Sequence, residues 1–200
     1  MLLEKLRLKA IEKNVATIDT QLDAEKVFFL VRDMPYGRAS SREPETIIQE
    51  WRGTCSGKHY LLKSIFAELG YSSRLIACTT HIKIEPGEAW EKLELLLTKS
   101  NRYFVDVHNY LILDSPEGKM IVDATWPISS KSISWIVVNE SFVFGRNQKI
   151  AANPIMTWEV PEDVSYQKFK NNILTNNFTK EELVFRERFI KLLIEKTNTN

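Results

Sequence analysis

Trp51-Arg52-Gly53-Thr54-Cys55-Ser56 runs directly into the firmest helical pattern of the chain. Leu62, Phe66 and Leu69 fall on one stripe, Leu61 and Ile65 lie beside it, and Gly70 supplies a C-terminal cap. Cys55 therefore stands at a helix start, where backbone N–H groups lack intrahelical acceptors and the helix dipole favours an anion. A thiol so placed ionises more readily, and it is the thiolate that attacks carbonyl carbon. The question the rest of the chain must answer is which base serves it.

Upstream of this segment, residues 1–34 have helix-like spacing, with Val27, Phe28, Leu30 and Val31 forming an apolar face before Pro35 and Gly37 interrupt it. Tyr36 to Glu45 reads as a loop that ends in a short helix from Pro44 to about Glu50. Downstream, the β-branched run Ser73 to Ile84 predicts a strand stopped by Pro86-Gly87, and Glu88 to Thr98 is taken as a helix. Tyr103 to Leu113 and Lys119 to Thr125 form a hairpin about Asp114-Ser115-Pro116-Glu117-Gly118. Ile133 to Phe144 reads as a further strand pair or edge, and Asn147 to Ser165 as irregular. Thr179 with Glu182 makes a capping box, Phe178 and Leu183 a hydrophobic staple, and Leu183 to Ile194 the apolar face of a closing helix. The expectation is one α+β domain over residues 1–200: a helical lead-in at 1–34, a core at about 40–127 and a C-terminal extension at 128–200 ending in a helix.

Taking Ser115-Pro116 as the hairpin midpoint sets Leu113 against Gly118, Leu111 against Met120 and His108 against Asp123. Directly opposed side chains share a sheet face about 4.5 to 5.5 Å apart, which suits a carboxylate accepting a hydrogen bond from an imidazole. Asp123 would then orient His108 and stabilise its charged form. A one-residue slip would place the two on opposite faces, so the pairing depends on the loop.

Arg52-Gly53-Thr54-Cys55 at a helix start, the strand histidine of His108-Asn109-Tyr110-Leu111, and Val122-Asp123-Ala124-Thr125-Trp126 together resemble the transglutaminase-like superfamily. The resemblance covers about residues 40 to 127. It implies a papain-like arrangement, in which a helix bearing the cysteine packs on an antiparallel sheet bearing histidine and aspartate, and acyl-transfer or amide-cleaving chemistry. The arylamine N-acetyltransferases share the triad order, but usually carry a further glycine where this chain has Thr54. Crosslinking transglutaminases usually carry a tryptophan directly after the cysteine, where this chain has Ser56, so the resemblance points to a peptidase or amidase rather than to protein crosslinking.

With 200 residues and 44% hydrophobic content the chain can bury a sizeable core without disulfides. Its 27 basic and 26 acidic side chains leave a formal net charge of +1, so no global field favours nucleic acid or an anionic membrane surface. Two cysteines make no disulfide framework, and Met1 to Ala10 lacks the apolar run of a signal peptide, so a cytoplasmic protein with reduced thiols is expected. No stretch approaches the roughly 20 apolar residues of a membrane span. The sequons at Asn139 and Asn177 are read as chance matches.

The remaining chemistry-bearing residues take more ordinary readings. Cys78, mid-strand between Ala77 and Thr79, is a core residue. Cys55, His59, Cys78 and His81 mimic zinc spacing, yet residues three apart on a strand point to opposite faces, so neither metal nor cofactor is expected. His59 is a polar flank rather than the base. Gln49, six residues before Cys55, is a candidate to donate to an oxyanion together with the Cys55 N–H. Trp51 and Trp126 could wall a substrate cleft. The charged run Lys180 to Lys191 reads as a solvated helix face.

The expected function is a cysteine-nucleophile enzyme with Cys55, His108 and Asp123 as its triad. It would act on a peptide, protein or small amide or acyl substrate through a thioester, by hydrolysis, deamidation or acyl transfer. The competing expectation is a non-catalytic interaction module that retains the same fold.

Overall fold

The computed structural model describes residues 1–198. Four helices come first: α1 (Leu2–Glu12), α2 (Ala24–Asp33), α3 (Pro44–Glu50) and α4 (Cys55–Glu68). Then follow β1 (Ser73–Lys83), α5 (Glu91–Leu97), β2 (Tyr103–Ser115) and β3 (Gly118–Val122). A 3-10 turn at Ile128–Ser132, the strand β4 (Pro154–Glu159), and the helices α6 (Tyr166–Asn177) and α7 (Lys180–Thr197) complete the order. The four strands make one antiparallel sheet in the order β3-β2-β1-β4, packed against helices, an α+β architecture.

The main core joins Leu61, Leu62, Ile65 and Phe66 of α4 to Leu75 and Ala77 of β1 and to Val107, Leu111 and Leu113 of β2, with Val27, Phe28 and Val31 of α2 behind them. The apolar stripe read for α4 is thus the face it buries. Gly70, at φ +88°, closes that helix: its N–H reaches Ala67 O, and Tyr71 N–H reaches Phe66 O. A second core gathers Phe104, Trp126, Leu93 and Leu97 around Phe189, Ile190 and Leu193 of α7. The capping box forms as the sequence predicts, with Thr179 and Glu182 bonding reciprocally at the start of α7.

Two expectations are corrected, and one helix forms where the sequence reading assigns none. The segment 133–144 forms no strand. Phe142 instead plugs the main core against Phe28 and Phe66, and side chains stitch the backbone: Asn139 Nδ2 donates to Asp123 O, and Gln148 Nε2 to Ser141 O. Within the stretch read as irregular, residues 154–159 form β4, an edge strand that begins at Pro154, where a missing N–H is tolerated. Residues 166–177, unassigned from the sequence alone, form α6.

The hairpin register also differs. Ser115 pairs with Gly118, Leu113 with Met120 and Leu111 with Val122, so β3 lies two residues from the expected alignment. A two-residue shift preserves the face of every side chain. His108 and Asp123 consequently become diagonal rather than directly opposed neighbours, and Asp123 lies just past the end of β3.

Candidate active site

Cys55 is the first residue of α4, after the N-cap Thr54, whose side chain makes no capping bond. The first intrahelical bond runs from Lys58 N–H to Thr54 O, which leaves the earlier N–H groups of the turn aimed past the helix end. The approach to this turn is held by backbone pairing: Gly53 N–H donates to Pro35 O and Gly37 N–H to Gly53 O. Gly57 lets α3 and α4 pack closely, since a Cβ there would stand 2.5 Å from Ile47 Cδ1.

β2 supplies the histidine. His108 Nε2–H donates to Asp123 Oδ2 over 2.7 Å, both side chains being buried. Asp123 is held by more than the imidazole. Its Oδ2 accepts from Ala151 N–H, and its Oδ1 accepts from the Thr125 hydroxyl at 2.6 Å and the Thr125 N–H at 3.1 Å. Burial opposes its charge, but His108 and these donors hold its carboxyl well below the usual carboxylate range. Burial likewise opposes a charged His108, yet Asp123 and the Cys55 thiol push the imidazole up to about 10. With Nε2 committed to Asp123, Nδ1 is the nitrogen left to serve the thiol.

Burial also opposes ionisation of Cys55, whose residue is 2% exposed. Lys170 and His108 outweigh that cost and bring the thiol down to about 7. The arrangement is a thiol whose ionisation is favoured by two neighbouring cations, with a carboxylate behind the imidazole.

Lys170 is a residue that the sequence pattern does not single out, and its setting explains how it comes to lie beside the thiol. β3 pairs with β2 only from Leu111 onward, so the outer edge of the earlier half of β2 has no strand partner among the described residues. At that edge the Val107 N–H donates to Asp106 Oδ1 over 2.7 Å, and the Val107 carbonyl accepts from Lys170 Nζ. The same ammonium lies 3.2 Å from Ser56 Oγ and 3.9 Å from Cys55 Sγ. Asp106 in turn accepts from Arg186 Nε at 2.7 Å. α6 and α7 thus carry cations onto an open sheet edge beside the thiol. A signal for this exists in the sequence: Lys170 sits on the apolar stripe of Tyr166, Ile173 and Leu174, and Arg186 on that of Phe189, Ile190 and Leu193. The reading of 180–191 as a solvated face is therefore corrected at Arg186, which is buried.

Comparison of the chain with protein-family models, curated proteins and solved structures finds no match.

The other sequence candidates are placed as follows. His59 is fully buried rather than flanking. Its Nδ1–H donates to Cys55 O at 2.7 Å and its Nε2 accepts from Ala124 N–H at 2.9 Å, and burial pushes it down to about 4, so it is a neutral strut between α4 and the Asp123 loop. Cys78 pairs with His108 across β1 and β2, is wholly buried, and is pushed up to about 12 by burial. Gln49 is exposed near the end of α3 and does not line the cavity that reaches Cys55. Trp51 and Trp126 do not line it either; the Trp126 ring packs at a 30° tilt with its centroid 4.1 Å from that of Tyr36, which does. Among the described residues no group of three or more His, Cys, Asp or Glu could hold a metal ion. No helix among them is long and apolar enough to cross a membrane.

Proposed function

We propose that this chain is a transglutaminase-like, papain-like enzyme that uses Cys55 as a nucleophile on an amide or acyl donor. The observation that carries the reading is the 2.7 Å bond from His108 Nε2 to a fully hydrogen-bonded Asp123, beside a thiol at the first position of a helix. The Cys55 thiolate attacks the carbonyl carbon, forming a C–S bond and an oxyanion. The N–H groups at the start of α4, which Thr54 does not cap, are the donors positioned for that oxyanion. His108 then delivers its Nδ1 proton to the departing nitrogen as the C–N bond breaks, and takes a proton back from the acceptor that cleaves the thioester. Asp123 fixes the tautomer throughout.

The cavity over Cys55 has a volume of about 330 Å³ and Cys55 is 2% exposed, which suits a slender or small acyl donor. This supports an amidase, peptidase or small acyl transferase over a crosslinker of folded proteins.

The test is trapping of the acyl-enzyme. Incubation with a small activated ester should add one acyl mass at Cys55, removed by hydroxylamine and absent in Cys55→Ala. A Cys55 that is neither acylated nor more acidic than a free thiol would overturn the reading in favour of a non-catalytic interaction module on the same fold.

A further inference from the structure

The lining of the cavity over Cys55 is unequal in charge. Four cations, Arg38, Arg42, Lys170 and Arg186, face two carboxylates, Asp106 and Glu187. Most of these charges are already matched. Asp106 takes the Arg186 Nε and lies 3.9 Å from Lys170, while Glu187 takes Arg38 at 2.7 Å and Arg186 Nη1 at 2.6 Å. Lys170 spends its remaining donors on Val107 O, Ser56 Oγ and the thiol.

Arg42 is different. Its Nε is buried and has no hydrogen-bond acceptor among the described residues, and its guanidinium lies 5.9 Å from the centroid of the Tyr166 ring. A buried donor without an acceptor is costly, and a guanidinium presents its donors in a fork that matches a carboxylate. Tyr166 ties this fork to the reacting end of the cavity, because its hydroxyl bonds Asn109 Oδ1 and lies 3.3 Å from Ser56 Oγ, next to the nucleophile. Arg42 and Cys55 therefore line one cavity with Tyr166 and Ser56 linking them, and the other cations of that cavity are already engaged by partners.

Resting on the reading of Cys55 as nucleophile, we propose that the cavity selects a small acyl donor carrying a carboxylate, which Arg42 holds while the donor carbonyl meets Cys55. The volume of about 330 Å³ limits the occupant to the size of a short acidic amide, such as an acylated amino acid or a peptide end.

A matched pair of alkylating reagents tests this on the intact chain. Iodoacetate carries the carboxylate and iodoacetamide is its neutral analogue; in both, the thiolate displaces iodide as the C–S bond forms. The ratio of iodoacetate to iodoacetamide rates at Cys55, followed by peptide mass spectrometry, should fall roughly five- to tenfold in Arg42→Gln and recover in Arg42→Lys. In the unsubstituted protein, N-acetylglycine should protect Cys55 from iodoacetamide at concentrations where N-acetylglycinamide does not. An unchanged ratio in Arg42→Gln, or equal protection by the two glycine compounds, would overturn the carboxylate proposal while leaving the nucleophile reading intact. A native Cys55 inert to both reagents would remove both.

Discussion

The chemistry of the site is decided by which side chains are charged around one sulfur. With the thiol near 7 and the imidazole near 10, Cys55 and His108 are both charged over most of that interval. Alkylation of Cys55 should accordingly rise through about pH 7, well below the roughly 8.5 of an ordinary cysteine. Cys78, pushed up to about 12, should stay unmodified until the protein unfolds, which makes it an internal control for the same mass spectrometric experiment. Lys170→Met should shift the Cys55 profile to higher pH, because it removes the cation 3.9 Å from Sγ. His108→Ala should do the same. If Cys55 is the proposed nucleophile, turnover of an amide should be bell-shaped, limited on the acid side by the thiol and on the alkaline side by loss of the His108 proton. The proposed triad is legible in the sequence as an ordered set of residue types because each member sits in a local context that can be read: a helix start, a strand and a strand end. Lys170 is not, since a lysine on an apolar stripe reveals its role only when the stripe is seen to face a sheet edge.

At the scale of elements, the cysteine is positioned by the contact between α3 and α4. Gly57→Ala should destabilise the protein by roughly 1 to 3 kcal/mol, since the new Cβ would meet the Ile47 side chain at 2.5 Å and this buried side chain must leave its packed position. Ile47→Val in the same chain should recover part of the loss, as read by urea denaturation midpoints. The hairpin shows how tolerant an element can be. Its true register is two residues from the one set by Ser115-Pro116, yet the even shift keeps His108 and Asp123 on one face, and the long reach of the two side chains closes the diagonal. What the turn composition could not supply is where β3 stops. That end is set by Asp123 turning away from the strand to accept four hydrogen bonds, from His108, Ala151 and Thr125. Asp123→Asn should cost roughly 3 to 5 kcal/mol, the range for breaking a buried pair, and should move the Cys55 alkylation profile towards an ordinary thiol.

For the whole molecule, buried ionisable groups from distant segments set the response of stability to pH. Asp123 has a depressed folded value, so its contribution is present above about pH 3.9 and is lost as pH falls below it. The acid limb of stability should be shallower in Asp123→Asn. On the alkaline side two groups oppose one another. His108, raised to about 10, contributes stability that is full below about 6.5 and is lost as pH rises to 10. Lys58, fully buried against Arg32 O and Thr125 O and pushed down to about 7 by burial, acts in the opposite sense: its contribution is full above about 10.4 and is lost as pH falls towards 7. Cys55 adds a smaller contribution of the same sign as Lys58, and Cys78, raised to about 12, offsets it with a contribution that is lost as pH rises above about 8.5. Stability between pH 7 and 10 should therefore stay nearly level, and Lys58→Met should make it decline across that window, as measured by denaturation midpoints at several pH values. By itself the sequence determined the helix that carries Cys55, the strands that carry His108 and lead to Asp123, and the α+β character of the chain, because each rests on local periodicity and turn chemistry. Only the tertiary structure decided that residues 133–144 plug a core, that β4 joins the sheet and that Lys170 and Arg186 reach the open edge of β2. Those outcomes depend on which backbone edges and apolar faces remain unsatisfied after the local elements form, a quantity that exists only once distant segments meet.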